Sequence, residues 1–335
     1  MSTQQEALQA KEAHKHEILA RPNVVGVGVG YKVAGDATTP EISVMALVRR
    51  KVPRAGLAPE ALVPKTVGGV ATDVIEVGDL RPHQARTARW RPAPGGVSVG
   101  HYQVTAGTLG CVVYDRASGR RLMLSNNHVL ANTNDARPGD AILQPGAADG
   151  GRGPDDEIAR LTRFCPIVFA SEPGRCGVAG ALAGAANALA RWCGSQHRLE
   201  VVRVDLAAVN RVDAAVAEPL RDEWLGDEML EIGRVSDTAP AALGMAVRKS
   251  GRSTGLTRGT ITVLDTTVSV GYGPGRTVRF EGQIVTSAMS SPGDSGSLLV
   301  DAGALRAVGL LFAGSDQATI HNPIEDVLEC LDVRL

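Results

Sequence analysis

A chain of 335 residues, 44% apolar and 21% charged, has room for two or three folded units and the balance of an ordinary globular protein. Its net charge of −1 supplies no global field for nucleic acid or an anionic membrane surface, and no run approaches the about 18 apolar residues that a membrane helix needs. With aromatics at only 3%, the core falls to Val, Leu, Ile and Ala, and 39 glycines suit a fold with many tight turns.

The opening MSTQQEALQAKEAHKHEILA is polar and lacks the apolar core of a secretory signal, so the expectation is a cytoplasmic protein. Residues 4–20 read as a helix stopped by Pro22. NVVGVGVGYKV, EISVMALVRRK and GVATDVIEVG read as strands, with a turn at GDATTP and a short helix at 60–62 inside the loop 53–64. Together they predict a small α/β unit over 1–78 with a regulatory or docking role. Gly26, Gly28 and Gly30 do not form a nucleotide loop, because a strand continues through Tyr31, Lys32 and Val33 where a helix would have to open. Residues 79–96, with four Arg, three Pro and two Gly, read as a linker whose arginines form a solvated strap.

From Val97 onward short Val/Leu/Ile runs alternate with glycine-bearing turns, the pattern of an all-β barrel or sandwich. Residues 176–196 interrupt it as a helical insertion, and 323–331 predict a closing helix. Cys111, Cys165, Cys176, Cys193 and Cys330 are odd in number and show no CxxC spacing. Without an export signal they read as free buried thiols, a disulfide among Cys165, Cys176 and Cys193 being the lesser reading.

Three segments carry chemistry. SPGDSGS at 291–297 places Ser295 in a glycine-bearing turn that exposes its hydroxyl, and Gly293 and Ser295 would offer backbone N–H groups to an oxyanion. LSNNHVL places His128 at the end of an apolar strand, and RVDAAVA places Asp213 in an apolar run where a buried carboxylate requires a partner such as an imidazole N–H. An α/β-hydrolase esterase would need a second glycine where Ser297 stands and the order Ser, Asp, His. No His-x-x-x-His pair lies near carboxylates, so neither a metal nor a cofactor is expected, and His14 and His16 sit on a polar helix.

In these motifs, in the order His, Asp, Ser, the chain from about Val97 to Leu335 resembles the trypsin/chymotrypsin-like serine peptidases. Asp213-Ala214-Ala215-Val216 matches the family's Asp-x-Ala-(Val/Leu), GDSGS its Gly-Asp-Ser-Gly-Gly, and VGLLFAG its late strand. PGGVSVGHY and GRSTGLTRGTI are similar to bacterial relatives of the plant narrow-leaf trypsin-like proteins. The resemblance implies a mainly β fold, a double six-stranded β-barrel behind the N-terminal α/β unit, and a serine endopeptidase acting on polypeptides. Its catalytic residues would be His128, Asp213 and Ser295. Phe312 stands where the family carries a serine that touches the catalytic aspartate. No Ile-Val-Gly-Gly start exists, so activation by a new N-terminus is not implied.

The resemblance also places Met289 at the base of the S1 pocket with Ser290 beside it, Phe312, Ala313 and Gly314 along the substrate strand, and Thr319 and His321 on the far wall. Met289 and Thr319 suggest a shallow pocket for small or aliphatic P1 residues. Ser290 and His321 suggest instead a receptor for a P1 carboxylate. A catalytically weak barrel that only binds extended peptides by β-augmentation is the alternative function.

Overall fold

A computed structural model describes residues 2–34, 37–53, 56–78, 84–174, 176–205 and 207–335. The chain divides into two compact units, Met1–Gln84 and Ala85–Leu335.

In the first unit the helix Gln4–Leu19 starts at Thr3. The Thr3 hydroxyl accepts the Glu6 N–H at 3.3 Å while the Glu6 carboxylate accepts the Thr3 N–H at 2.8 Å. Ala7, Ala10 and Ile18 share one helical stripe and pack on Val44, Ala46, Val67 and Val70. The sheet beneath runs Val24–Ala34, Ala37–Val48, Val70–Glu76, Thr66–Val67, with the middle pair parallel. The glycines of the first strand are ladder residues, as expected: Gly26 pairs with Leu47 and Gly30 with Ser43.

The second unit holds two closed barrels. In the first, residues 107–115 form one bent segment. Gly107–Thr108 pairs with Ser98–His101, and Cys111–Asp115 pairs with Arg121–Ser125. The ladder continues through Ala215–Pro219, Glu157–Phe164 and Ala141–Leu143 back to Ser98–His101, so six strands close on themselves. The second barrel runs Thr277–Ser287, Gly255–Gly271, Ala246–Gly251, Leu298–Asp301, Ala307–Gly314, Ala318–Pro323. It closes where the last strand pairs with the first. The strand Arg121–Ser125 shows how burial works here: Leu122 and Leu124 enter one apolar cluster and Met123 the other, the period-2 alternation of a strand covered on both faces. Each such side chain contributes roughly 1.5–3 kcal/mol on burial. The expected closing helix is Ile324–Cys330, and the expected insertion carries the helix Gly177–Trp192. Among the described residues no helix is long and apolar enough to cross a membrane.

Two expectations need correcting. Part of the predicted linker, 79–83, lies outside the described residues, but 85–96 is built into the barrel unit. Ala93–Gly95 is a strand beside Leu225–Met229, the Arg86 guanidinium donates to Ser250 Oγ at 2.7 Å, and the Trp90 N–H donates to Gln144 Oε1 at 2.8 Å. A stretch rich in Arg and Pro looks solvated in sequence, but here its guanidinium groups find carbonyl and hydroxyl acceptors. The cysteines also differ from the expectation. Cys165 and Cys330 form a disulfide, Cys176 and Cys193 are exposed, and only Cys111 is a buried thiol. The bonded pair is 165 residues apart, one at the end of a first-barrel strand and one at the end of the last helix, so no local spacing announces it.

Candidate active site

His128 lies in the one-turn helix Asn127–Leu130, just past the strand Arg121–Ser125. Buried Val129 and Leu130 pin that turn in the first barrel. The two asparagines before it are anchors: Asn126 donates to the Asp213 carbonyl at 2.7 Å and Asn127 to the Cys165 carbonyl at 2.8 Å. Asp213 enters the strand Ala215–Pro219, whose Ala215 pairs with Ser125, and this register brings residues 213 and 128 together. Asp213 is fully buried. Its Oδ2 lies 2.5 Å from His128 Nδ1, and its Oδ1 accepts the His128 backbone N–H at 3.2 Å. Burial pushes the Asp213 carboxyl up, but the charge and hydrogen bonds of His128, with the Tyr272 phenol, outweigh it and hold the group below the usual carboxylate range.

Ser295 sits in the turn before the strand Leu298–Asp301 of the second barrel. Gly293 (φ +97°) and Gly296 (φ +93°) take the left-handed conformation that this turn requires. A Cβ at Gly296 would collide with the Ser125 hydroxyl and the Thr108 carbonyl. Thr108 fastens the loop from the first barrel: its hydroxyl donates to the Gly293 carbonyl and its N–H to the Ser295 carbonyl, both at 2.8 Å. Among the described residues neither the Gly293 nor the Ser295 N–H donates to a protein acceptor. Gly107 lies between the two halves of the site. A Cβ there would collide with Val129, next to His128, and approach the Ser295 carbonyl to 3.0 Å. The Ser295 hydroxyl makes a long, 3.5 Å contact with the Phe312 carbonyl rather than with His128.

Beside Ser295, Asp294 is buried against the equally buried Lys249, Nζ to Oδ2 2.8 Å. Its carboxylate also accepts the Ser291 N–H at 3.0 Å, the Ser253 N–H at 2.8 Å and the Thr254 hydroxyl at 2.7 Å. Burial pushes the carboxyl up, and the Lys249 ammonium pulls it below its ordinary range. Sequence reading missed Lys249, which looks like any charged residue in AVRKSG. Its ammonium is the buried cation that balances the Asp294 carboxylate.

The predicted pocket residues separate into two groups. Ser290, Phe312, Ala313 and Gly314 line a cavity of about 370 Å³ beside Ser295, together with Asp316. Met289, assigned to the base, and Thr319 and His321, assigned to the far wall, are not among the residues that line it. The Met289 side chain packs with Val247, Ile261 and Leu299 in the barrel core. Thr319 is fully buried, its hydroxyl bonded to the Met289 N–H and the Ser290 hydroxyl at 3.0 Å. His321 is fully buried on Thr286 Oγ1 at 3.1 Å, and burial pushes its pKa down to about 3. Tyr272 was also missed; its one signal is Phe312, which leaves the aspartate in need of another hydroxyl. Among the described residues no group of three or more His, Cys, Asp or Glu is placed to hold a metal ion.

No family model matches the chain. It is 31% identical over 106 residues to serine protease 1 of Streptomyces fradiae, covering 30% of this chain and 28% of that one. It is 39% identical over 88 residues to glutamyl endopeptidase 2 of Streptomyces griseus, covering 26% and 38%. The chain thus spans roughly a third of the length of the curated relatives it matches. Among solved structures, Nocardiopsis protease (NAPase) is 20% identical, with a TM-score of 0.45 over 72% of this chain and 97% of its own. Cellulomonas bogoriensis chymotrypsin is 19% identical, with a TM-score of 0.43 over 72% and 96%. The chain is mainly β with two closed six-stranded barrels, and over about a quarter to a third of its length it is similar in sequence to these named bacterial serine proteases.

Proposed function

We propose that Ala85–Leu335 is a serine endopeptidase with the triad His128, Asp213 and Ser295. The observation that carries this reading is the 2.5 Å contact of His128 Nδ1 with a fully buried Asp213, in a site that also presents Ser295 beside two unused backbone N–H groups. Asp213 fixes the imidazole tautomer with the proton on Nδ1, leaving Nε2 free to take the Ser295 proton. The long contact of Ser295 with the Phe312 carbonyl is weak and costs little to break. The serine oxygen attacks the scissile carbonyl, and the Gly293 and Ser295 N–H groups receive the oxyanion. His128 then protonates the leaving amine, and the same imidazole activates the water that hydrolyses the acyl-enzyme. The backbone of 312–314 supplies an edge on which an extended polypeptide pairs.

For specificity we propose small or aliphatic P1 residues. The cavity beside Ser295 has Phe312, Ala313, Gly314 and Asp316 in its lining, and among the described residues that line it there is no cation to receive a P1 carboxylate. The glutamate-receiving alternative needs His321 to face the pocket, whereas its ring is fully buried with Nε2 at 3.1 Å from Thr286 Oγ1. A peptide-library digest with the purified protein tests both levels of the reading. Cuts after Ala, Val or Leu are expected. Cuts confined to Glu would overturn the pocket assignment, and no cuts at all would favour the peptide-binding alternative.

We assign Met1–Gln84, a unit with its own core, to docking or regulation. A broad-specificity protease should separate Met1–Gln84 from Ala85–Leu335 and spare 85–96, which is held by Arg86 and Trp90. Hydrolysis followed through that cut reports on the assignment: a changed rate or substrate range supports it, and an unchanged one removes it.

A further inference from the structure

The Asp213 carboxylate is fully buried, and a buried carboxylate needs its lone pairs filled by protein donors. Three donors reach it: the His128 backbone N–H on Oδ1, His128 Nδ1 on Oδ2, and the Tyr272 phenol on Oδ2 at 2.5 Å. Two of the three belong to the residue that the carboxylate must orient. Among the described residues only the phenol ties it to a different part of the molecule. We propose that Tyr272 is the positioning residue of this triad, its phenol holding the Asp213 carboxylate, and through it the His128 imidazole, in the orientation that hydrolysis requires. The proposal rests on the peptidase reading above.

The surroundings of Tyr272 are built to hold its ring in place. It follows the strand Gly255–Gly271 at the tip of the long hairpin, where its N–H donates to the Arg276 carbonyl at 2.9 Å. Gly273 and Gly275 take positive φ, as a turn this tight demands. The far side of the tip is fastened by Ala170, whose N–H donates to the Thr277 carbonyl at 2.8 Å, and by the pairing of Ser171 with Thr277. The Tyr272 ring stands edge-on to the His128 imidazole, with centroids 5.8 Å apart at 82°. Behind it, Phe280 lies 6.2 Å from Tyr272 and 4.7 Å from Phe312. Phe312 therefore adds apolar wall rather than a hydroxyl, and the hydroxyl arrives from the hairpin. A rigid ring with few rotatable bonds delivers a donor at little entropic cost. The charged and titratable groups around it are Asp213, His128 and, across the turn, Arg276. The Arg276 guanidinium covers the Phe169 ring and lies 3.8 Å from Asp135. Arg211, two residues before Asp213, is directed to Asp326 at 2.9 Å.

Tyr272→Phe keeps the ring and removes the donor. Hydrogen bonds to charged groups predict a fall in kcat of about 10- to 100-fold with KM changed by less than about twofold. The acid limb of the kcat/KM profile should move to higher pH. The phenol donates to Asp213 and draws off part of its charge, so its loss leaves a more basic carboxylate, and the His128–Asp213 pair then holds its proton to higher pH. A purely structural role would instead lower the melting temperature and leave the acid limb of the remaining active enzyme in place. Tyr272→Phe with wild-type kcat and a wild-type acid limb overturns the proposal. If wild type itself neither hydrolyses peptides nor reacts with a fluorophosphonate, the peptidase reading fails instead. Should the variant not fold, proton NMR of the wild type decides. Two slowly exchanging far-downfield signals, one from His128 Nδ1–H and one from the Tyr272 phenol, are expected, and a single signal contradicts the shared acceptor.

Discussion

Ser295→Ala is expected to lower kcat by roughly 10⁴-fold or more while leaving the fold in place. The two effects separate because the hydroxyl and the backbone of residue 295 do different work. The hydroxyl makes one long contact, 3.5 Å to the Phe312 carbonyl, whose loss costs well under about 1 kcal/mol. The turn itself is held by other atoms: the Thr108 N–H on the Ser295 carbonyl, the Thr108 hydroxyl on the Gly293 carbonyl, and the left-handed glycines at 293 and 296. An alanine keeps all of these. Progress curves with a cleavable peptide, alongside thermal melts, check the pair of outcomes. Wild-type turnover in the variant would remove Ser295 from the chemistry.

Lys249→Met should be the most destabilising single change near the site. The ammonium and the Asp294 carboxylate are both fully buried at 2.8 Å, and removing one member leaves the other charged and unpaired. Breaking such a pair costs about 3–5 kcal/mol, which in a unit of this size lowers Tm on the order of 10 °C. The loss also reaches the chemistry. Asp294 holds the backbone of Ser291 and Ser253 and the hydroxyl of Thr254, and the N–H groups that would receive the oxyanion flank it on either side. Hydrolysis at a temperature where the variant is folded should therefore still be slower than wild type. Adding Asp294→Asn should restore part of the stability, since no orphan charge remains. A Lys249→Met protein as stable and as active as wild type would show that the pair supports neither the fold nor the loop.

The barrels and the three motif residues were legible because their signals are local. Alternating apolar runs mark strands, and a glycine-bearing turn around Ser295, an apolar strand ending at His128 and an acid inside an apolar run each break a local rule in a way that implies chemistry. What was not legible depends on chain paths that bring distant residues together. Lys249 meets Asp294 across strands, Tyr272 reaches Asp213 from a hairpin tip that reads only as a GYGPG turn, and Cys165 meets Cys330 from the far end of the chain. The pocket residues were hard to read for another reason. Met289 lies just past the strand Thr277–Ser287 and His321 within Ala318–Pro323, but which way each side chain turns is set by packing. Met289 joined the core and His321 found Thr286. The Arg- and Pro-rich stretch misled in the same way, since Arg86 and Arg91 turn to acceptors in the barrel unit.

The most direct test of the account is covalent labelling of the intact protein with a fluorophosphonate, followed by peptide mapping. Only a serine activated by a neighbouring base reacts readily with such a probe. One adduct on Ser295 is predicted, absent in Ser295→Ala and strongly reduced in His128→Ala. An unlabelled wild type, or an adduct on any other residue, would contradict the triad.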